Sequence, residues 1–188
     1  MPTRQPAHRT EPATAPDPKD DGAPGLALRP VDLDGQATGR LFLAAMPGRS
    51  GGTATDLDRI AARKVGAILC LADPAEVTAL SPEYANAWSS GQGLSADRLN
   101  HPIPDFGIPQ DMERYRDMTR QIAERLRQGD RVLVHCAAGI GRTGMTAIAV
   151  LCALGLDPDR ARQQVAEAGS GPETPAQKAF LQELVGKC

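Results

Sequence analysis

The sequence predicts an α/β fold, a central sheet covered by helices, and three observations lead there. From Gly39 onward, short apolar runs alternate with amphipathic stretches, the pattern of helices laid over a sheet. The 188 residues suit one domain with a core large enough to need neither disulfide nor metal. One apolar run, 132–135, passes through a glycine-bearing loop directly into a further helical segment.

In chain order, residues 1–25 come first and carry many prolines, mixed charge and almost no large apolar side chain. Such a segment cannot bury enough surface to offset its ordering entropy, so it is expected to be a disordered tail ahead of a domain over 26–188. A proline-rich recognition arm is the alternative, although no PxxP pattern with basic flanks is present. Apolar runs at 41–44, 67–71, 99–103 and 132–135 are expected strands, and 56–65, 112–127, 143–154, 158–168 and 175–185 expected helices. Two helix starts show their chemistry: Asp157 before Pro158 and Thr174 before Pro175 each place a capping side chain ahead of a proline suited to the first turn.

Composition narrows the function. The 23 acidic and 21 basic residues nearly balance, so no overall field gathers nucleic acid or an anionic membrane, and any bound anion has to be held locally. Four cysteines, at 70, 136, 152 and 188, lack the density or close pairing of a disulfide framework or zinc site. His8, His101 and His135 complete no ligand set, so no metal is expected. The N-terminal residues lack the apolar run of a secretory signal, and no stretch reaches the roughly 18 apolar residues of a membrane span. A reducing, cytoplasmic setting is expected.

The central motif is VLVHCAAGIGRTG. A strand that ends at His135 and Cys136, a tight loop and a helix opening near Arg142 and Thr143 make an anion site, because loop amides point inward and the helix dipole adds partial positive charge. Ala137, Ala138, Gly139, Ile140 and Gly141 supply that backbone, and the two glycines permit close approach. The same donors stabilise a thiolate at Cys136. Arg142 can return to the loop centre, where its planar fork matches two phosphate oxygens and a lysine would not. A buried cysteine beside a glycine-rich turn is the structural alternative, and it does not account for the joint spacing of His, Cys, both glycines, Arg and Thr.

HCAAGIGRTG resembles the signature loop of the protein tyrosine phosphatase superfamily, in particular its small dual-specificity branch. LAAMPGR, HPIPDFGIP and GSGPETPAQKAFL resemble, in that order, segments of kinase-associated phosphatases. The resemblance implies a mostly parallel sheet, a cysteine nucleophile at Cys136 and a general acid at Asp105. The prolines on both sides of Asp105 favour a stiff extended loop, and an aspartate that shapes a turn is the alternative. Asp97 and Asp111 are rival acids outside the matching segment. By the same resemblance Thr143 hydrogen-bonds the departing sulfur, with helix capping as the alternative. Gln177 stands near the mouth to orient water, or is a solvated helix residue. His135 orders the cradle. Arg49 borders the substrate and attracts a second anionic group, or belongs to a plain surface loop. Cys70 is either a buried core thiol or a partner of Cys136 in a reversible disulfide. Cys152 is expected to be core.

The expected activity is hydrolysis of phosphotyrosine, with phosphoserine and phosphothreonine as further candidates, in a phosphorylated protein substrate and with no cofactor. The aromatic phosphotyrosine-recognition loop of the large tyrosine phosphatases is missing from the sequence, which puts strict tyrosine specificity in doubt. Two alternatives stand beside this one: a phosphoinositide or inositol-phosphate phosphatase, opposed by the absence of lysine in the cradle, and an inactive phospho-binding module, opposed by the joint presence of Cys136, Arg142 and Asp105.

Overall fold

The computed structural model describes residues 25–186. The tail expected over 1–25 lies, apart from Gly25, outside the described residues. Five strands, β1 (Arg29–Val31), β2 (Arg40–Ala44), β3 (Ala67–Cys70), β4 (Asp97–Asn100) and β5 (Arg131–His135), form one sheet in the order β1-β2-β5-β3-β4. β1 is antiparallel to β2 and every other pair is parallel, which gives the mostly parallel α/β sheet expected. Seven helices accompany it among the described residues: α1 (Thr53–Ala62), α2 (Pro74–Leu80), α3 (Pro82–Ser90), α4 (Met112–Arg127), α5 (Gly141–Leu154), α6 (Pro158–Glu167) and α7 (Pro175–Val185).

Strand alternation sorts the core into two layers. Leu41, Leu43, Ala67, Leu69, Val132 and Val134 face α4, α5, α6 and α7. Phe42, Ala44, Ile68, Cys70 and Leu133 face α1, α2 and α3. Because the inner strands are covered on both sides, their sequences read as unbroken apolar runs. α5 is apolar almost all round and buried from Gly141 to Leu151, so the helix that follows the cradle is a core element and its first turn cannot drift.

Three elements were not expected. β1 is a three-residue edge strand containing Pro30, too short and too polar to show a period. α2 and α3 begin at Asp73–Pro74 and Ser81–Pro82, the same kind of pairing that marks α6 and α7, and Asp73 accepts the Ala75 amide at 2.8 Å as a true cap. Their brevity hides the helical period. β4 begins two residues earlier than expected because its polar Asp97–Arg98 start lies on an exposed edge. The segment after it still bonds to β3, with His101 N to Cys70 O at 3.0 Å and Ile103 N to Leu71 O at 3.0 Å, and leads into the loop that carries Asp105.

At the end of β5 His135 is fully buried among the rings of Tyr84 and Trp88, with centroids at 5.5 and 6.3 Å. Its Nδ1 lies 3.1 Å from the Cys136 carbonyl, which can only accept, so Nδ1 carries the proton and Nε2 accepts from Tyr84 Oη at 2.9 Å. Burial, with the Arg142 charge adding to it, pushes the imidazole down to about 4, against the partial opposition of the bonded carbonyl. From about pH 6.5 down to about 4 the unfolded chain takes up a proton at this position that the folded chain refuses, so this group's share of stability is lost as pH falls through that window. The loss is on the order of 3 kcal/mol. Denaturant titrations at pH 7 and pH 4.5 are expected to show it in wild type and to show a smaller difference in His135→Gln; equal differences would remove His135 from the account.

Candidate active site

The carboxyl ends of β2, β3 and β5 open on one side of the sheet, the place where parallel α/β sheets hold ligands. The loop 136–140 follows β5, and α5 opens at Gly141. Gly139 has φ +74°, and an added Cβ would lie 2.3 Å from the Ala44 carbonyl oxygen, so glycine is required there by both conformation and space. Its amide donates to Cys136 Sγ at 3.3 Å. Ser170 Oγ reaches the carbonyl oxygens of Gly139 at 3.1 Å and Ile140 at 2.8 Å, and Met46 N donates to Ala137 O at 3.0 Å. The loop is therefore tied from outside, with its sulfur and an amide turned inward.

Cys136 lies at the floor of a cavity of about 230 Å³ whose lining includes Arg49, Glu76, Asp105, Ala137, Arg142 and Gln177. Arg142, 2% exposed, turns back from the first turn of α5 into this cavity. Glu76 on α2 grips it along one edge, at 2.8 Å to Nη1 and 2.7 Å to Nη2, and the Ile103 carbonyl accepts from Nη1 at 3.1 Å. Asp105 Oδ1 stands 2.8 Å from Nη2. Nε makes no hydrogen bond to the described residues, so the Nε/Nη2 edge faces the cavity with Asp105 at its corner. Burial disfavours the Arg142 cation, but the bonds from Glu76 and the charges of Cys136, Glu76 and Asp105 outweigh it and hold the guanidinium above its ordinary value. The bond from Arg142 holds Glu76 below the usual carboxylate range, with Arg49 adding in the same direction.

Asp105 sits where α7 fixes its loop. Thr174 Oγ1 donates to the Phe106 carbonyl at 3.3 Å, and Gln177 Nε2 to the Gly107 carbonyl at 3.1 Å. Gln177 is wholly buried and its Oε1 accepts from Glu173 N at 2.9 Å and Thr174 N at 3.4 Å in a capping box, so it is no solvated helix residue and is already engaged on both sides of its amide. Phe106 follows with φ +55°, an uncommon value for an aromatic residue, and is 62% exposed at the cavity lip.

The rivals stand elsewhere. Asp97 pairs with Arg125, and Asp111 caps α4 by accepting Arg114 N at 3.0 Å. Ala138 also lines the cavity, and Ile140, 40% exposed, projects from the cradle. Thr143 Oγ1 is buried and is the one buried side-chain polar atom without a hydrogen-bond partner among the described residues. Cys70 aligns with His135 in the β3–β5 register, and burial pushes its thiol up to about 11. Cys152 is partly buried against the core. Among the described residues no group of three or more His, Cys, Asp or Glu could hold a metal, and no helix is long and apolar enough to cross a membrane.

Sequence reasoning missed Glu76, Phe106 and Glu173, all of which line the cavity. The signal for Glu76 was available: Asp73–Pro74 announces a helix just after the apolar run of β3, and a carboxylate in its first turn stands at the carboxyl edge of a parallel sheet.

The fold has solved counterparts. Kinase associated phosphatase carrying a catalytic-site cysteine to serine substitution matches with a TM-score of 0.76 at 20% identity, over 89% of this chain and 97% of that one. Tk-PTP in its active form matches with a TM-score of 0.66 at 30% identity, over 85% and 98%. PTPMT1 in complex with PI(5)P matches with a TM-score of 0.64 at 17% identity, over 81% and 93%. No curated protein sequence matches the chain. The family model PTP-SAK, described as the Swiss Army Knife protein DSP-PTPase phosphatase domain, matches residues 41–183, from β2 into α7, and the chain belongs to that family of cysteine-based phosphatases.

Proposed function

We propose that this protein hydrolyses phosphotyrosine, and with it phosphoserine or phosphothreonine, in protein substrates through a cysteinyl-phosphate. The observation that carries this reading is the delivery of Cys136, Arg142 and Asp105 to one cavity by segments distant in sequence, with the arginine fork touching the candidate acid. In the first step Cys136 Sγ attacks phosphorus and the ester P–O bond breaks. Asp105 passes its proton to the leaving oxygen. Arg142, through its Nε/Nη2 edge, and the loop amides take the charge that spreads over the phosphoryl oxygens. A phosphate on that edge has to displace Asp105 from Nη2, which frees the carboxyl group to meet the ester oxygen.

In the second step water attacks phosphorus, Asp105 takes its proton, the S–P bond breaks and Cys136 leaves as thiolate with inorganic phosphate released. The unpaired hydroxyl of Thr143, next to Arg142, is suited to donate to that sulfur. Ala137, Ala138 and Ile140 place no cation inside the cradle, and at the mouth Asp105 and Glu173 outnumber the one cation Arg49, which together disfavour the more highly charged inositol phosphates.

Cys136→Ser is expected to abolish turnover while phosphopeptide binding by calorimetry persists; surviving turnover would refute the nucleophile. Asp105→Ala is expected to lower kcat by about 10²- to 10⁴-fold for phenyl phosphate and by much less for p-nitrophenyl phosphate, whose leaving group needs little protonation. Equal losses on the two esters would take the acid role from Asp105. Glu76→Ala is expected to weaken vanadate inhibition by about tenfold through loss of the grip on Arg142. Tighter inhibition would make Glu76 a competitor of phosphate instead. In a substrate panel, faster release of phosphate from a phosphoinositide than from a phosphotyrosine peptide would replace the protein substrate with a lipid one.

A further inference from the structure

Arg142 is not the only guanidinium directed at the cradle. Arg29, half-buried on β1, donates from Nη2 to the Gly139 carbonyl and from Nη1 to the Gly169 carbonyl, so one planar fork joins the back of the cradle to the loop before α7. Among the described residues it forms no ion pair with a carboxylate, whereas Arg142 is met by both Glu76 and Asp105.

Two consequences follow from elementary chemistry. In a trans peptide the C=O and N–H point in opposite directions, so holding the Gly139 carbonyl outward turns the Ile140 amide to the other side of the loop. A charge-assisted bond to that carbonyl also polarises the peptide and strengthens its N–H as a donor to an oxyanion. Second, Arg142 is ion-paired with Glu76 and, when that group is ionised, Asp105, while Arg29 is bonded only to carbonyl dipoles. Arg29 therefore adds to the field on the sulfur and phosphate a positive charge that is not tied up in an ion pair among the described residues.

We propose that Arg29 is a positioning residue for the reaction: from outside the cavity it fixes the inward direction of the cradle amides and supplies the positive field that favours an anion at Cys136 and above it. The inference rests on the reading of Cys136 as the nucleophile. The mutual influence is visible at Arg29 itself, where burial lowers the guanidinium and the charge of Cys136 opposes that shift. The other groups that bear on the sulfur are Arg142, Glu76 and Asp105, Arg49 and Glu173 at the cavity mouth, and two groups neutral at pH 7, His135 and Cys70. Asp56 shares the crevice beside Arg29, and its two oxygens accept the amides of Leu26 and Gly48 at 2.8 Å each.

The test compares the full-length wild type with Arg29→Met, which keeps the length and removes the charge, and Arg29→Lys, which keeps the charge and one donor direction. The readouts are vanadate inhibition and the pH profile of Cys136 alkylation by iodoacetamide, the second of which needs no turnover. In Arg29→Met, vanadate inhibition is expected to weaken by about tenfold, the size of one lost charge-assisted bond. The alkylation profile is expected to move to the alkaline side, with Arg29→Lys restoring the profile more fully than the vanadate affinity. A Met variant with wild-type profile and inhibition overturns the proposal. So does a lysine variant as impaired as the methionine one, which would reduce Arg29 to packing. Wild type that alkylates at Cys136 but does not turn over any phosphate ester would instead sink the phosphatase reading and leave the Arg29 comparison intact.

Discussion

A guanidinium that is 2% exposed has to be met by charge and hydrogen bonds from the protein, and the surroundings of Arg142 are arranged to do so. Glu76 comes from the helix after β3, the Ile103 carbonyl and Asp105 from the loop after β4, and Arg142 from the helix after β5. These groups come from three separate segments of the chain. They meet because β3 stands between β5 and β4 with all three parallel, so that three carboxyl ends open at one place. The parallel sheet thus bears on the proposed chemistry through one buried cation, whose Nε/Nη2 edge is the anion site in that proposal.

Rigidity follows from the same arrangement. α5 is enclosed by the core along most of its length, and its Gly144 approaches the 169–171 segment so closely that an added Cβ would lie 2.1 Å from the Gly171 amide nitrogen. The 170–177 stretch then reaches the site twice, through Ser170 to the cradle carbonyls and through Thr174 and Gln177 to the loop that carries Asp105. The loops that carry Cys136 and Asp105 are consequently held by one common brace, although about thirty residues separate them in sequence.

Much of this was legible beforehand because the cradle is local in sequence. A strand, two glycines, an arginine and a threonine at fixed spacing state their own geometry, and Cys136, Arg142 and the loop between them stand where that spacing places them. Asp105 was legible through its proline frame and the family resemblance, and the structure adds the contact with Arg142 that spacing cannot give. Glu76 was not legible, because its role depends on the neighbour relation of β3 and β5, a pairing between residues more than sixty positions apart. Gln177 was placed near the mouth, and its capping box with Thr174 is local, but its burial and its bond to the Gly107 carbonyl depend on tertiary packing. Short elements failed for a simpler reason: three or seven residues do not complete enough periods to declare a face.

The proposed hydrolysis requires covalent transfer of phosphate to one sulfur, that of Cys136. Rapid acid quench of the wild-type protein during turnover, followed by peptide mapping, measures that directly. Phosphate bound to the peptide containing Cys136, appearing within the time of one turnover and decaying as product forms, is the predicted result. Steady release of phosphate with no adduct on Cys136, or with the adduct on another side chain, would contradict it.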